Sequence, residues 1–189
     1  MAANTSRRER YSDDFSLTKY TLPVVWQMSS VIPGGFFIYK EDEKRELIYA
    51  NQRVCDIYGC KDIDEFKELT GFTFNGMVHP DDFHLIQGSI DSQIDSDEGD
   101  SFDHVEYRII RKDGEIRWVD DYGHFGYSPE YGDLYYVFIS DITKQKTELI
   151  SKEKYEHLEA AADKLVSSLE GALLSEDAKA AIDEIKKMK

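Results

Sequence analysis

The chain has 189 residues, 41% of them hydrophobic, and a formal net charge of −15 from 38 acidic and 23 basic side chains. A chain of that size buries one good core plus appendages rather than two independent globules. The charge repels nucleic-acid phosphates and anionic membrane surfaces, and no apolar run reaches the roughly 18 residues needed to span a bilayer. The polar start, residues 1–10, has no apolar stretch behind it of the kind a secretion signal carries. The expectation is a cytoplasmic protein with neither nucleic acid nor membrane as a partner. Cys55 and Cys60 lie five apart on an expected helix, hence on different faces, and read as reduced thiols rather than a disulfide framework or a metal quartet.

Residues 1–15 are polar and mixed in charge and read as a disordered lead. Over residues 16–35, Pro23 suits a first helical turn, and Val24 or Val25, Met28, and Val31 or Ile32 recur at helical spacing until Pro33-Gly34-Gly35 stops the run. Residues 36–39 and 47–50 form two apolar strands joined by a charged loop. Asn51 is a natural N-cap for a helix over 52–58 whose Val54, Ile57 and Tyr58 face inward, and a second short helix covers 63–69. His79-Pro80-Asp81-Asp82 reads as a helix start, with proline in the first turn and two carboxylates at the positive end of the helix dipole. Phe83, Ile86, Ile90 and Ile94 mark its buried stripe. An acidic run over 95–100 leads into strands at 102–111, 115–127 and 134–140, the last apolar on both faces as a central strand is. Two strands, several helices, three strands and a final helix make an α+β chain.

Four spaced motifs then stand together: His79-Pro80-Asp81-Asp82, Tyr107-Arg108 with Lys112-Asp113-Gly114, Trp118, and Asp141-Ile142-Thr143. In this conjunction the segment from near Pro33 to Thr143 resembles a PAS domain. The resemblance implies a five-stranded antiparallel sheet in the order 2-1-5-4-3, helices packed on one face, and a ligand-sized cavity between them. It also implies sensing, dimerisation or both. The expected organisation is a PAS domain over 36–143 followed by signalling helices over 144–189. In similar proteins the helix after Asp141-Ile142-Thr143 leads to a diguanylate cyclase or a histidine kinase, which would lie outside this chain.

The register of the Lys112-Asp113-Gly114 hairpin decides which side chains line that cavity, because a slip of one residue turns each side chain to the opposite face. A two-residue Asp113-Gly114 turn pairs Ile109 with Trp118 and sends Asp120 inward. A three-residue loop, Asp113-Gly114-Glu115, pairs Ile109 with Val119, Ile110 with Trp118, and Arg108 with Asp120 as opposite charges; this is the preferred reading. It turns Val105, Tyr107, Ile109, Val119 and Asp121 inward, joined by Tyr135, Val137 and Ile139 from the central strand. His104, Glu106, Arg108, Trp118, Asp120, Tyr122 and His124 form the outer face. The inner set reads either as a mostly apolar small-molecule pocket with Tyr107, Asp121 and Tyr135 as polar handles, or as a packed core. An inward Asp121 must meet a tyrosine hydroxyl, a cation or a ligand, or the register is wrong.

No cofactor is assigned. Flavin-binding light sensors of the PAS superfamily carry Asn-Cys-Arg-Phe-Leu-Gln where this chain has Gly71-Phe72-Thr73-Phe74-Asn75-Gly76, so the adduct-forming cysteine is missing and Cys60 lies too early to replace it. His84 lies on the helix that carries a haem ligand in other PAS domains, but Phe83 and Ile86 claim the buried stripe. His104 and His124, as cross-strand partners near Glu106, lack a certain fourth zinc ligand. Asp95, Asp97, Ser101, Asp103 and Glu106 imitate a calcium loop but place Asp100 where glycine is needed, so a solvated acidic loop is the better account and no metal site is expected. There is no phosphate-cradling glycine loop and no nucleophile elbow, and helix capping explains Asp81-Asp82, so catalysis by this chain is not expected.

After Thr143, Tyr155, Leu158, Ala162, Leu165, Leu169 and Ala172 follow a 4-3 spacing between charged residues and read as a parallel dimer seam. Ser175 caps a further helix over 176–188 with a stripe of Ala178, Ala181, Ile182 and Ile185. A helical hairpin folded back on the sheet fits the same pattern. The function expected is a PAS sensory and dimerisation module, a homodimer with a possible small-molecule ligand. It would act on a downstream output domain or partner protein through Asp141, Ile142 and Thr143. The alternative is a ligand-free scaffold, and an enzyme using Asp121 as a base ranks below both.

Overall fold

The computed structural model describes residues 17–95, 101–170, 183, 184 and 187, the side chains of 165–170 excepted. The polar lead over 1–15, most of the acidic run and the stripe expected over 176–188 lie outside the described residues. Two compact units divide the chain, Met1–Thr143 and Lys144–Lys189.

In the first unit, helix α1 (Leu22–Ser30) precedes strands β1 (Gly35–Lys40) and β2 (Leu47–Ala50). Helices α2 (Gln52–Ile57), α3 (Ile63–Thr70), α4 (Phe74–Met77) and α5 (Phe83–Asp95) follow, then strands β3 (Phe102–Ile110), β4 (Ile116–Ser128) and β5 (Gly132–Asp141). The strands form one antiparallel sheet in the order β2-β1-β5-β4-β3. Side chains alternate across a strand, so Phe37 and Tyr39 of β1 enter the main core under the helices, while Phe36 and Ile38 enter a smaller cluster with Leu17 and Leu134. Both faces of β1 are therefore covered, and it reads as an almost continuous buried run.

Helix α1 covers the second face. Leu22 and Val25 pack on that smaller cluster, and Ser29, one turn further along the same side, bonds to the Tyr49 hydroxyl at 2.7 Å. Of the expected stripe, Val25 and Ile32 are half-buried as its alternatives allowed, but Met28 is 64% exposed and Val31 82%. The polar anchor at Ser29, not the apolar count, sets which side of the helix docks.

Asn51 caps α2 as expected, its Oδ1 accepting from the Val54 N–H at 3.1 Å, and it does more. The same oxygen accepts from the Phe36 N–H at 3.0 Å, and Nδ2 donates to the carbonyls of Ser29 and Gly34 at 3.0 and 3.2 Å. One buried amide thus joins the end of α1, the start of β1 and the start of α2. Helix α2 stops at Ile57, so Cys60 lies beyond it rather than on it.

The β3–β4 hairpin corrects the expected register. Ile110 pairs with Ile116, Arg108 with Trp118, Tyr107 with Val119 and Val105 with Asp121. The loop is Lys112-Asp113-Gly114: Arg111 N–H donates to the Glu115 carbonyl, and Gly114, at φ +83°, donates to the Arg111 carbonyl. Tertiary contacts pin this position, since the Lys112 N–H donates to the Tyr58 carbonyl at 2.9 Å and Arg111 Nη1 to the Ile57 carbonyl at 3.1 Å. The pairing differs from the expected one by two residues. An even slip leaves every side chain on its expected face.

Arg108 consequently does not meet Asp120. Its Nε, Nη2 and backbone N–H all donate to the Asp82 carboxylate, while the His79 N–H donates to the Arg108 carbonyl at 2.8 Å. The His-Pro-Asp-Asp turn is a clamp on β3, which corrects the capping role expected for Asp82. Arg108 holds the Asp82 carboxyl below the ordinary carboxylate range. The ionised form is favoured in the fold, so this stability is present at neutral pH and lost as pH falls through that lowered value. Asp82→Asn is expected to cost about 1–2 kcal/mol at pH 7 and less at pH 3, measured by urea denaturation at both pH values; equal costs at the two would refute the clamp.

Helix α6 (Thr143–Glu170), in the second unit from Lys144 on, exposes Tyr155 and Leu158 and half-buries Ala162. Leu165 and Leu169 lie on the same helix, with side chains outside the described set.

Candidate functional site: the inner face of the sheet

Strands β3, β4 and β5 turn Val105, Tyr107, Ile109, Val119, Asp121, Tyr135, Val137 and Ile139 toward the helices, each at most 5% exposed. Facing them are Val54 and Cys55 of α2, Tyr58, Phe66 of α3, Phe74 and Met77 of α4, and Ile86, Ile90 and Ile94 of α5. Thr73 caps α4 by accepting from the Gly76 N–H, which turns Phe74 inward. Phe74, Tyr39 and Tyr135 then form a stack, Tyr39 lying 4.7 Å from Phe74 and 5.2 Å from Tyr135 with interplanar angles of 4° and 12°. Tyr107 meets Phe74 edge-on at 6.2 Å.

Asp121 sits among these rings, 2% exposed, opposite Val105 on β3 and Ile139 on β5. The Tyr107 hydroxyl donates to its Oδ2 at 2.7 Å. This is the tyrosine partner that an inward carboxylate demanded. Burial pushes the Asp121 carboxyl well above the ordinary carboxylate range; the Tyr107 bond opposes the rise, and the charges of Asp103 and Asp120 add to it. Burial and the same Asp121 charge raise the Tyr107 phenol.

Asp103 belongs to the expected strand over 102–111, but the sequence also counts it with a solvated acidic loop and the expected inner set leaves it out. It lies on β3 with 3% exposure, opposite Gly123, and a Cβ at Gly123 would stand 2.4 Å from Asp103 Oδ1. Two signals pointed there: the even spacing Asp103, Val105, Tyr107, Ile109, and a glycine inside a strand, which marks close approach.

Residues 47–137 match the family model of the PAS fold. The chain contains a domain of the PAS fold. Solved structures agree in fold. The PAS domain of a Colwellia psychrerythraea protein is 21% identical with a TM-score of 0.50, covering 65% of this chain and 98% of that one. A sensory box histidine kinase/response regulator from Burkholderia thailandensis is 16% identical with a TM-score of 0.51, covering 74% and 98%. An RNA-binding light-oxygen-voltage receptor is 14% identical with a TM-score of 0.55, covering 77% of this chain and 40% of that one. No curated protein matches the chain significantly.

Within the PAS domain, Gly71 ends α3 at φ +63°, and the Gly71 to Gly76 segment turns Phe74, not a cysteine, to the inner face. His84 is exposed on α5. His104 and His124 are not cross-strand partners: His104 lies opposite Tyr122, stacked at 4.3 Å, with Nε2 bonded to Asp120, and His124 lies opposite Phe102. Among the described residues no group of three His, Cys, Asp or Glu side chains is placed to hold a metal ion, and no helix is long and apolar enough to cross a membrane. Cys55 and Cys60 are buried free thiols, and burial pushes the Cys55 thiol up to about 11, the chemistry of an unreactive cysteine.

At the edge of the domain, Asp141 closes β5. The Thr143 N–H donates to Asp141 Oδ1 at 2.9 Å, and Arg117 Nη1 donates to Oδ2 at 3.3 Å. The Trp118 N–H donates to Thr143 Oγ1, and the Ile142 N–H to the Trp118 carbonyl, both at 2.9 Å.

Proposed function

We propose that this chain is a cytoplasmic PAS sensory and dimerisation module that passes a change on its inner face to an output through the helix after Asp141-Ile142-Thr143. The observation that carries the proposal is the knot at the end of β5. Ile142 and Thr143 are bonded to β4 at Trp118 and Asp141 at Arg117, next to Val119 of the inner set, so a shift between β4 and β5 reaches the first residue of α6 directly. Val105, Tyr107, Ile109, Val119, Asp121, Tyr135, Val137 and Ile139 are the candidate ligand-contacting or repacking residues. Asp141, Ile142 and Thr143 are the relay. Tyr155, Leu158, Ala162, Leu165 and Leu169 are the candidate dimer seam, with two copies of α6 paired in parallel. A diguanylate cyclase or histidine kinase output would lie outside this chain.

A second reading, a ligand-free scaffold for protein–protein interaction, is favoured by the closed Phe74–Tyr39–Tyr135 stack, which fills inner-face space with rings. Native mass spectrometry of protein purified from cells separates the two. The sensor reading expects a dimer with a retained small molecule, and a dimer of bare chains supports the scaffold. Leu158→Lys is expected to halve the mass; a wild-type chain that is monomeric at micromolar concentration would overturn the dimer seam.

A further inference from the structure

Outside the inner face, a cleft of about 290 Å³ opens on the flank of the PAS domain where β5 ends. Its floor is the Gly34-Gly35 backbone, and its walls carry Arg53, Asp56, Arg111 and Asp141. A neighbouring cleft of about 370 Å³ shares Arg53 and Asp56. Gly35 lets α2 pack close to the sheet beside the cleft, since a Cβ there would stand 2.6 Å from Ile139 Cγ1 and 3.1 Å from Ile57 Cδ1.

The hydrogen-bond inventory of the walls is lopsided. Each carboxylate already has two protein donors: Asp56 accepts from Gln52 Nε2 at 3.0 Å and from Arg53 Nη1 at 3.4 Å, and Asp141 accepts from the Thr143 N–H and from Arg117. The guanidiniums are underused. Of five N–H donors each, Arg53 uses one, in its long contact with Asp56, and Arg111 uses Nη1 on the Ile57 carbonyl and Nε on Asp113. Arg111 is also held in place, because its guanidinium fills the space where a Cβ on Gly59 would lie, 2.8 Å from Nη2. A fixed guanidinium, paired through Nε with Asp113 and Glu115, and a 60% exposed one each keep N–H donors to spare in a cleft whose own acids already have donors.

We infer that this cleft binds a small oxyanion, a carboxylate or a phosphate, on Arg53 and Arg111. A planar fork of N–H donors matches two oxygens of either group. The bound anion lies beside Asp141, whose carboxylate accepts the N–H of Thr143, the first residue of α6, so occupancy is read at the strand end without passing through the core. That consequence rests on the relay proposed above; the binding itself does not.

Titration calorimetry on the full chain at low ionic strength, with sodium phosphate and sodium malonate as probes and sodium chloride as control, tests the site. Saturable binding is expected for at least one oxyanion, weakened about tenfold or more in Arg53→Gln. That residue's side chain is 60% exposed, so the variant keeps its fold. The probe that saturates at the lower concentration identifies the source, and amide resonance shifts at Gly34, Gly35 and Ser140 locate it. Heats no larger than chloride's, equal binding in Arg53→Gln, or shifts confined to other segments would overturn the inference. None of these outcomes alters the mass measurement that tests the inner face.

Discussion

Replacing Asp121 with asparagine is expected to stabilise the PAS domain at neutral and alkaline pH, by on the order of 1–3 kcal/mol at pH 8, and to flatten its stability profile. Burial lifts the folded-state value of this carboxyl above the roughly pH 4 of an unfolded aspartate. The native state therefore still holds a proton that the unfolded chain has released. Such a group contributes fully below the unfolded value, and its contribution is lost as pH rises through the folded one. Asparagine has no proton to lose, and its Oδ1 can still accept from the Tyr107 hydroxyl. Thermal unfolding between pH 4.5 and 9 reads the effect: the wild-type curve should fall away from the variant's as pH increases, and parallel curves would refute the assignment. Tyr107→Phe should steepen the wild-type decline, because the bond it removes favours the ionised carboxylate.

Asn51→Ala should be among the most damaging single substitutions, at roughly 3–5 kcal/mol. It removes four hydrogen bonds and leaves the buried Phe36 N–H and the Gly34 carbonyl without this partner, while the Val54 N–H keeps the Asn51 carbonyl and the Ser29 carbonyl keeps the Ile32 N–H. Asn51→Asp should rescue little, since it keeps the acceptor but turns an anion toward the two carbonyls. Urea denaturation with an unchanged slope and a lower midpoint would bear this out; a loss under about 1 kcal/mol would mean that water replaces the amide.

Local chemistry made much of this fold readable. Asn51 before a helical run, Pro33-Gly34-Gly35 after one and the alternation from Val105 to Ile109 each act over a few residues, and each announces its element. The strand order came instead from the resemblance, since nothing in periodicity alone places β5 between β1 and β4. What stayed hidden was set by partners distant in the chain. The hairpin loop position depends on Lys112 and Arg111 reaching back to Tyr58 and Ile57, more than fifty residues earlier. Arg108 ignores the acid offered across the strands because Asp82 arrives from a turn 26 residues away. The inner set was legible nonetheless, because an even slip preserves the face; a loop reading wrong by one would have put Asp121 in water. Asp103 stays out of the expected inner set because the four acids just before it, Asp95, Asp97, Glu98 and Asp100, tie it to a solvated loop and outweigh its own alternation.

Leu17 is fully buried under the sheet, and its carbonyl accepts the Ser128 hydroxyl at 2.6 Å. With α1 it roofs Phe36, Ile38 and Leu134 on the face away from the main core. A polypeptide trimmed to begin at the first strand would bare that oily floor and invite clumping. The smallest self-sufficient portion of this protein therefore starts no later than Leu17, thirty residues ahead of the stretch that carries the family signature.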